Sequence, residues 1–192
     1  MVFQPKEDHV SRNTLSRSLH DLGLAGWFGG TLANAVALNP AAAEAGNEPA
    51  VGRVANTGWD NWTPVGAAAI GAHLVGSIGQ LAGNRDRLTA QQGVLPMAVV
   101  KTALTAAALG ATAYSRMLGR TVSEHHDVPT QSGTQPSVQT PQRVAKAQQQ
   151  LSVLQWVIPA LTGALVVVSA FAGEQQRASE AHRGVADRLL HR

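Results

Sequence analysis

Residues 154–173 read LQWVIPALTGALVVVSAFAG, twenty positions without one charged side chain. At about 1.5 Å of rise per helical residue, such a run matches the roughly 30 Å hydrocarbon core of a bilayer. Lipid offers no partners to a polar backbone, so a helix that satisfies its own hydrogen bonds is the form this stretch is expected to take. The span built on it covers about 153–173.

Three weaker apolar stretches precede it, at about 21–38, 62–83 and 96–114. The first contains Asn34 and stops at Asn39-Pro40, the second contains His73, Ser77 and Gln80, and the third contains Lys101. Neither GLAGWFGG nor TALTAAALGATA carries the charged face that a soluble surface helix needs. The expected fold is therefore all-α, a four-transmembrane-helix bundle in the plasma membrane, and not a soluble bundle of Ala-rich helices.

Composition agrees. Charged residues make up 14% of the 192 positions, against roughly 25% in an average soluble domain. The mean hydropathy of −0.04 averages apolar blocks with polar ends and a polar loop. No cysteine is present, which removes disulfides, thiolate metal sites and Cys nucleophiles. The sequence pI near 10 accompanies a net charge of only +3, and the basic residues flank apolar segments, so nucleic acid is not an expected partner. The opening MVFQPKEDHVSRNTL has no continuous apolar region of the kind a secretory signal requires, so the first apolar segment is expected to be retained.

Basic residues set the expected orientation. Lys6, Arg12, Arg17, Arg85, Arg87, Arg177, Arg183, Arg188 and Arg192 fall on one side of a four-span layout; Arg53, Arg116, Arg120, Arg143 and Lys146 fall on the other. Nine against five places both termini in the cytoplasm. Trp59, Trp62, Tyr114 and Trp156 then fall at the opposite, outer boundary, as an interfacial aromatic belt.

This divides the chain into a cytoplasmic segment at 1–20, a membrane domain at 21–173 and a cytoplasmic amphipathic tail at 174–192. Loop one runs from about Asn39 to Asn61. The long loop at about 115–152 contains VPTQSGTQPSVQTPQ, a Pro, Ser, Thr and Gln-rich composition read as irregular.

Few residues could carry chemistry. Gly26 with Gly30, and Gly79 with Gly83, form GxxxG pairs that let helix backbones approach in lipid, either within the bundle or against another subunit. Asp21, His73 and Lys101 are intramembrane polar candidates. Counting helical rise inward from the cytoplasmic boundary puts Asp21 at the surface, Lys101 about 7 Å deep and His73 about 15 Å deep. A ladder of this kind suits a proton relay or a structural ion pair. On the same count His20 and His73 differ by roughly 15 Å in depth, which makes joint ligation of a haem awkward.

Glu124, His125, His126 and Asp127 have metal-ligand side chains, but their contiguous spacing is weak for a metal site, and neither metal nor cofactor is expected. There is no Gly-rich phosphate loop, GxSxG elbow or HExxH motif, so enzyme activity is not expected.

The stretches SLHDLGLAGWFGG, GWDNWTPVGAAAIGAHLVG and KTALTAAALGATAYSRMLG resemble a family of small, uncharacterised membrane proteins of actinobacteria. The resemblance covers His20, Asp21, Trp59, Trp62, His73 and Lys101; it implies the architecture and supplies no mechanism. The functional expectation is a non-enzymatic accessory or scaffolding subunit, with the lipid bilayer and other membrane subunits or itself as partners. The alternatives are a proton-linked carrier using His73 and Lys101, and a haem or quinone module.

Overall fold

The computed structural model describes residues 14–83, 85, 94–125 and 128–190, with side chains as far as Glu174. The chain is mostly helical. Helix α1 is Thr14–Ala33, followed by a π-helical turn over Asn34–Leu38 and a short α2 at Asn39–Ala43. Helix α3 is Glu48–Gly83 and α4 is Val94–Ser123. A hairpin of β1 (Thr130–Ser132) and β2 (Gln135–Pro136) precedes α5, Gln142–Leu190. Helices α3, α4 and α5 are long and apolar enough to cross a membrane; α1 is a shorter fourth.

Local chemistry explains the boundaries. Helix α1 begins a full two turns before the apolar run that marks it in the sequence. Pro40 cannot donate a backbone hydrogen bond, and the chain meets it with a wider turn in which the Asn39 N–H reaches back to the Asn34 carbonyl. Gly46, at φ +78, takes the left-handed position that turns the chain into α3. The Asn47 carboxamide oxygen then accepts the Ala50 N–H at 3.0 Å, a side-chain cap ahead of Glu48 and Pro49. Loop one is thereby reduced to residues 44–47, and α3 runs about 20 Å further than its apolar part alone.

The helices pair as two hairpins. Helices α1 and α3 lie antiparallel and close: a Cβ on Gly23 would collide with the backbone of Ala69 and His73, and one on Gly76 with the backbone of His20 and Ser16. Helices α4 and α5 form the second pair, and α1 joins the two by packing on α5, where Phe28 covers Gly163. Trp27, 1% exposed, sits at the centre with Ala108 of α4 and Ile158 of α5.

The long polar loop is not irregular, contrary to its composition. Thr130 pairs with Pro136 and Ser132 with Gln135 across the hairpin. The buried Thr130 hydroxyl lies 2.7 Å from the carbonyls of Ser132 and Gln135 and accepts the Gln148 amide of α5 at 2.7 Å. Hydroxyl and carboxamide groups take over the role that an apolar core plays elsewhere, which is why hydropathy does not reveal the hairpin. It rests on the first turns of α3, with Thr130 against Gly52. Helix α5 continues through Gly173 to Leu190 without a break, so the segment expected as an amphipathic tail extends the same helix. Residues 1–13 lie outside the described residues.

Candidate functional site

Along α1 the residues turned toward α3 recur at alternating spacings of four and three: Ser16, His20, Gly23, Trp27 and Gly30. On α3 the facing series is Trp62, Ala69, His73 and Gly76. This near-3.5 repeat keeps one seam of each helix on its partner. Glycines in the seam bring the backbones together, and the two histidines are enclosed where they meet.

His20 and His73 are 1% and 0% exposed, and their ring centroids lie 4.6 Å apart. This corrects the sequence-based separation of roughly 15 Å in depth. Helix α1 starts at Thr14 and runs antiparallel to α3, so His20 is already inside the bundle at the level of His73 and Gly76. Rings in mutual contact leave no room for a macrocycle between them, so the arrangement does not fit a haem shared by this pair.

Each ring has identifiable partners. His20 Nδ1 donates to the Asp21 carboxylate at 2.7 Å, and His20 Nε2 is buried without a partner among the described residues. His73 Nδ1 faces the His20 carbonyl at 3.4 Å, which assigns the proton to that nitrogen; Nε2 is then the acceptor for the Thr105 hydroxyl of α4 at 3.5 Å. Trp27 meets His73 edge-on at 6.0 Å. Lys101 is partly buried, within electrostatic reach of Asp21 and His20.

Asp21 and His73 of the expected ladder are thus joined, but through His20, which the depth count put far from His73, while Lys101 stands within electrostatic reach. The order is Asp21, His20, His73, Thr105. Asp21 is 61% exposed, the two histidines are sealed and Thr105 is partly buried. A sealed imidazole pair with one outward carboxylate fastens α1 to α3 and α4; it offers no visible route for a proton beyond His73.

The other sequence candidates fall into separate places. Gly26 approaches the Ala69 side chain, Gly30 packs on the Trp62 ring and Gly79 on Ser16, so these three serve the α1–α3 seam; Gly83 is exposed. Tyr114 and Trp156 are about half exposed, and the Tyr114 hydroxyl donates to Gln150. Trp59 and Trp62 turn inward instead: the Trp59 indole N–H donates to Asn39 at 3.0 Å, and both rings line a cavity of about 220 Å³ between α3, α4 and the hairpin. Glu124 is exposed and His125 Nδ1 donates to the Thr121 carbonyl at 2.9 Å; His126 and Asp127 lie outside the described residues.

Sequence reasoning missed three residues that position this region. Gly23 and Gly76 escape a search for GxxxG because their partners lie on different helices. Asn39 bridges three elements, accepting from Trp59 and donating to Gln155 of α5 at 2.9 Å, and its signal was its place beside Pro40. No protein family, curated protein or solved structure matches the chain.

Proposed function

We propose that this chain is a four-span protein of the plasma membrane with both ends in the cytoplasm, acting as a non-enzymatic accessory or scaffolding subunit of a membrane complex. Three helices long and apolar enough to cross support the setting. Helix α1 lies beside residues 62–79 of α3 and so shares their depth. Its lower hydropathy has two sources: His20 and Thr31 are polar side chains buried against protein, and Thr14, Arg17, Ser18 and Asp21 are exposed near its start.

The observation that carries the subunit reading is the outward face of α4. Ala103, Ala106, Ala107, Gly110 and Ala113 are all exposed, and a Cβ on Gly110 would meet nothing within 4 Å among the described residues. The glycine seam of α1 and α3 is consumed inside the bundle; this second small-residue surface is not. In lipid, where helices associate by close packing, such a surface suits a neighbouring helix. A carrier built on His73 and Lys101 finds less support, because the cavity ends at Trp27 and Ile70 and His73 is closed off.

Gly110→Leu should leave the melting temperature within a few degrees of the parent and remove the partner, or the second copy, that accompanies the parent on mild extraction. A parent recovered from native-lipid particles as a lone monomer would contradict the reading.

A further inference from the structure

The 220 Å³ cavity has properties that packing alone does not explain. Its walls are the indole rings of Trp27, Trp59 and Trp62. Two of those rings have their N–H engaged: Trp27 donates to Thr112 at 3.2 Å and Trp59 to Asn39. The Trp62 N–H has no partner among the described residues. Neither does the carboxamide of Asn56, although that residue lines the cavity and is only 9% exposed.

Both groups lack a protein partner where they line one cavity, and their polar atoms stay accessible from it, so a molecule in that space could take up their hydrogen bonds. The remaining charge is balanced. Arg116, the one charged residue of the lining, is paired at 3.4 Å with Asp60 just outside it, so its charge is balanced by an adjacent carboxylate. Aromatic faces, unpaired N–H donors and electrical neutrality together define what would fill the space.

We propose that this cavity is a binding site for an uncharged, planar ring compound bearing carbonyl oxygens, of one or two fused rings. The indole faces stack on the ring, and the Asn56 amide and Trp62 N–H donate to its carbonyls. The volume is below the roughly 300 Å³ at which cavities begin to enclose drug-sized molecules, so the ring body is the part that enters. A substituent would leave between α3 and α4, which make little direct contact. This site is independent of the α4 outer face, so failure of the subunit reading leaves it standing.

The test is a titration of the full chain in lipid nanodiscs with 2-methyl-1,4-naphthoquinone, followed by quenching of tryptophan fluorescence. A Trp156→Phe background removes the half-exposed indole that quencher dissolved in lipid would reach. Saturable quenching is expected, at least tenfold weaker for Asn56→Leu and several-fold weaker for Trp62→Phe, which keeps a ring but not the N–H. Naphthalene, which has the same shape and no carbonyl, is then added against a fixed quinone concentration and should relieve the quenching only at concentrations at least tenfold above those at which the quinone itself saturates.

Unsaturable quenching, equal competition by naphthalene, or unchanged affinity in Asn56→Leu would each overturn the proposal. The naphthalene comparison uses the unaltered cavity and therefore decides the matter even if a variant fails to fold. Repeating the titration with a quinone carrying an isoprenoid tail tells a bilayer-borne ligand, for which the tail strengthens binding, from a free one.

Discussion

Gly76→Leu is expected to force α1 away from α3 and to lower the melting temperature of the detergent-solubilised protein by about 6–12 °C. A side chain at position 76 would meet the backbone of His20 and Ser16, and backbone cannot rotate aside as a side chain can. Overpacking costs typically about 1–3 kcal/mol where neighbours adjust. Here the whole helix must move, so the upper end applies, and about 3 kcal/mol corresponds to the stated shift for a chain of this length. Moving α1 also opens the contact between His20 and His73 and withdraws Trp27 from Ala108 and Ile158. Gly29→Ala and Gly71→Ala supply the control. Nothing lies within 4 Å of a Cβ at either position among the described residues. Each should be neutral or stabilising by up to about 1 kcal/mol, as expected when an exposed helical glycine gains a methyl group. Equal melting of Gly76→Leu and the parent would show that the two backbones are not in contact.

The second large effect is expected at Asn39. This residue, 3% exposed, joins α2 to Trp59 of α3 and Gln155 of α5 through one carboxamide. Asn39→Leu removes both bonds and leaves an indole N–H and a Gln oxygen facing an apolar side chain. Each buried group left without a partner costs about 1–3 kcal/mol, so a total of roughly 2–6 kcal/mol is expected. Thermal melting measures the sum, and a cycle with Trp59→Phe separates the parts. Because Trp59→Phe removes the group that Asn39→Leu would strand, the double variant should be less damaged than the two single losses added together. Strict additivity would mean that the two side chains do not meet.

How much of this could be read from the residues divides along physical lines. The helical class and the three long apolar helices follow from hydropathy, because length and absence of charge are local properties. The start of α3 is also written locally, but in a different code. Asn47-Glu48-Pro49 is a cap followed by a first-turn acid and proline, and it lies 14 residues before the apolar segment chosen as the start of span two. A window that scores hydropathy passes over such signals.

The site was half legible. Asp21, His73 and Lys101 stand out as polar residues in apolar surroundings, yet His20 falls just ahead of the apolar run, in the segment that hydropathy reads as cytoplasmic. The apolar run begins two helical turns after α1 does, so a depth count taken from it puts His20 out of reach of His73. The turning inward of Trp59 and Trp62 was not legible at all, since interfacial and cavity-lining tryptophans have the same spacing and differ only in which neighbour lies beside them. The hairpin at 130–136 is held by hydroxyl groups whose partners are distant in sequence, and composition carries no trace of them.

If, as proposed, α1 runs beside α3 through the same membrane, both ends of the chain share a side and the turn at 44–47 faces the other. The parent contains no cysteine, which makes single-cysteine labelling direct. With cysteine introduced in turn as Arg12→Cys, Glu44→Cys and Arg177→Cys, a membrane-impermeant maleimide applied to intact cells should label the Glu44 variant alone; the other two should react only after the inner face is exposed. Labelling of Arg12→Cys and Arg177→Cys from opposite sides, or of Glu44→Cys from the same side as Arg12→Cys, would contradict the account.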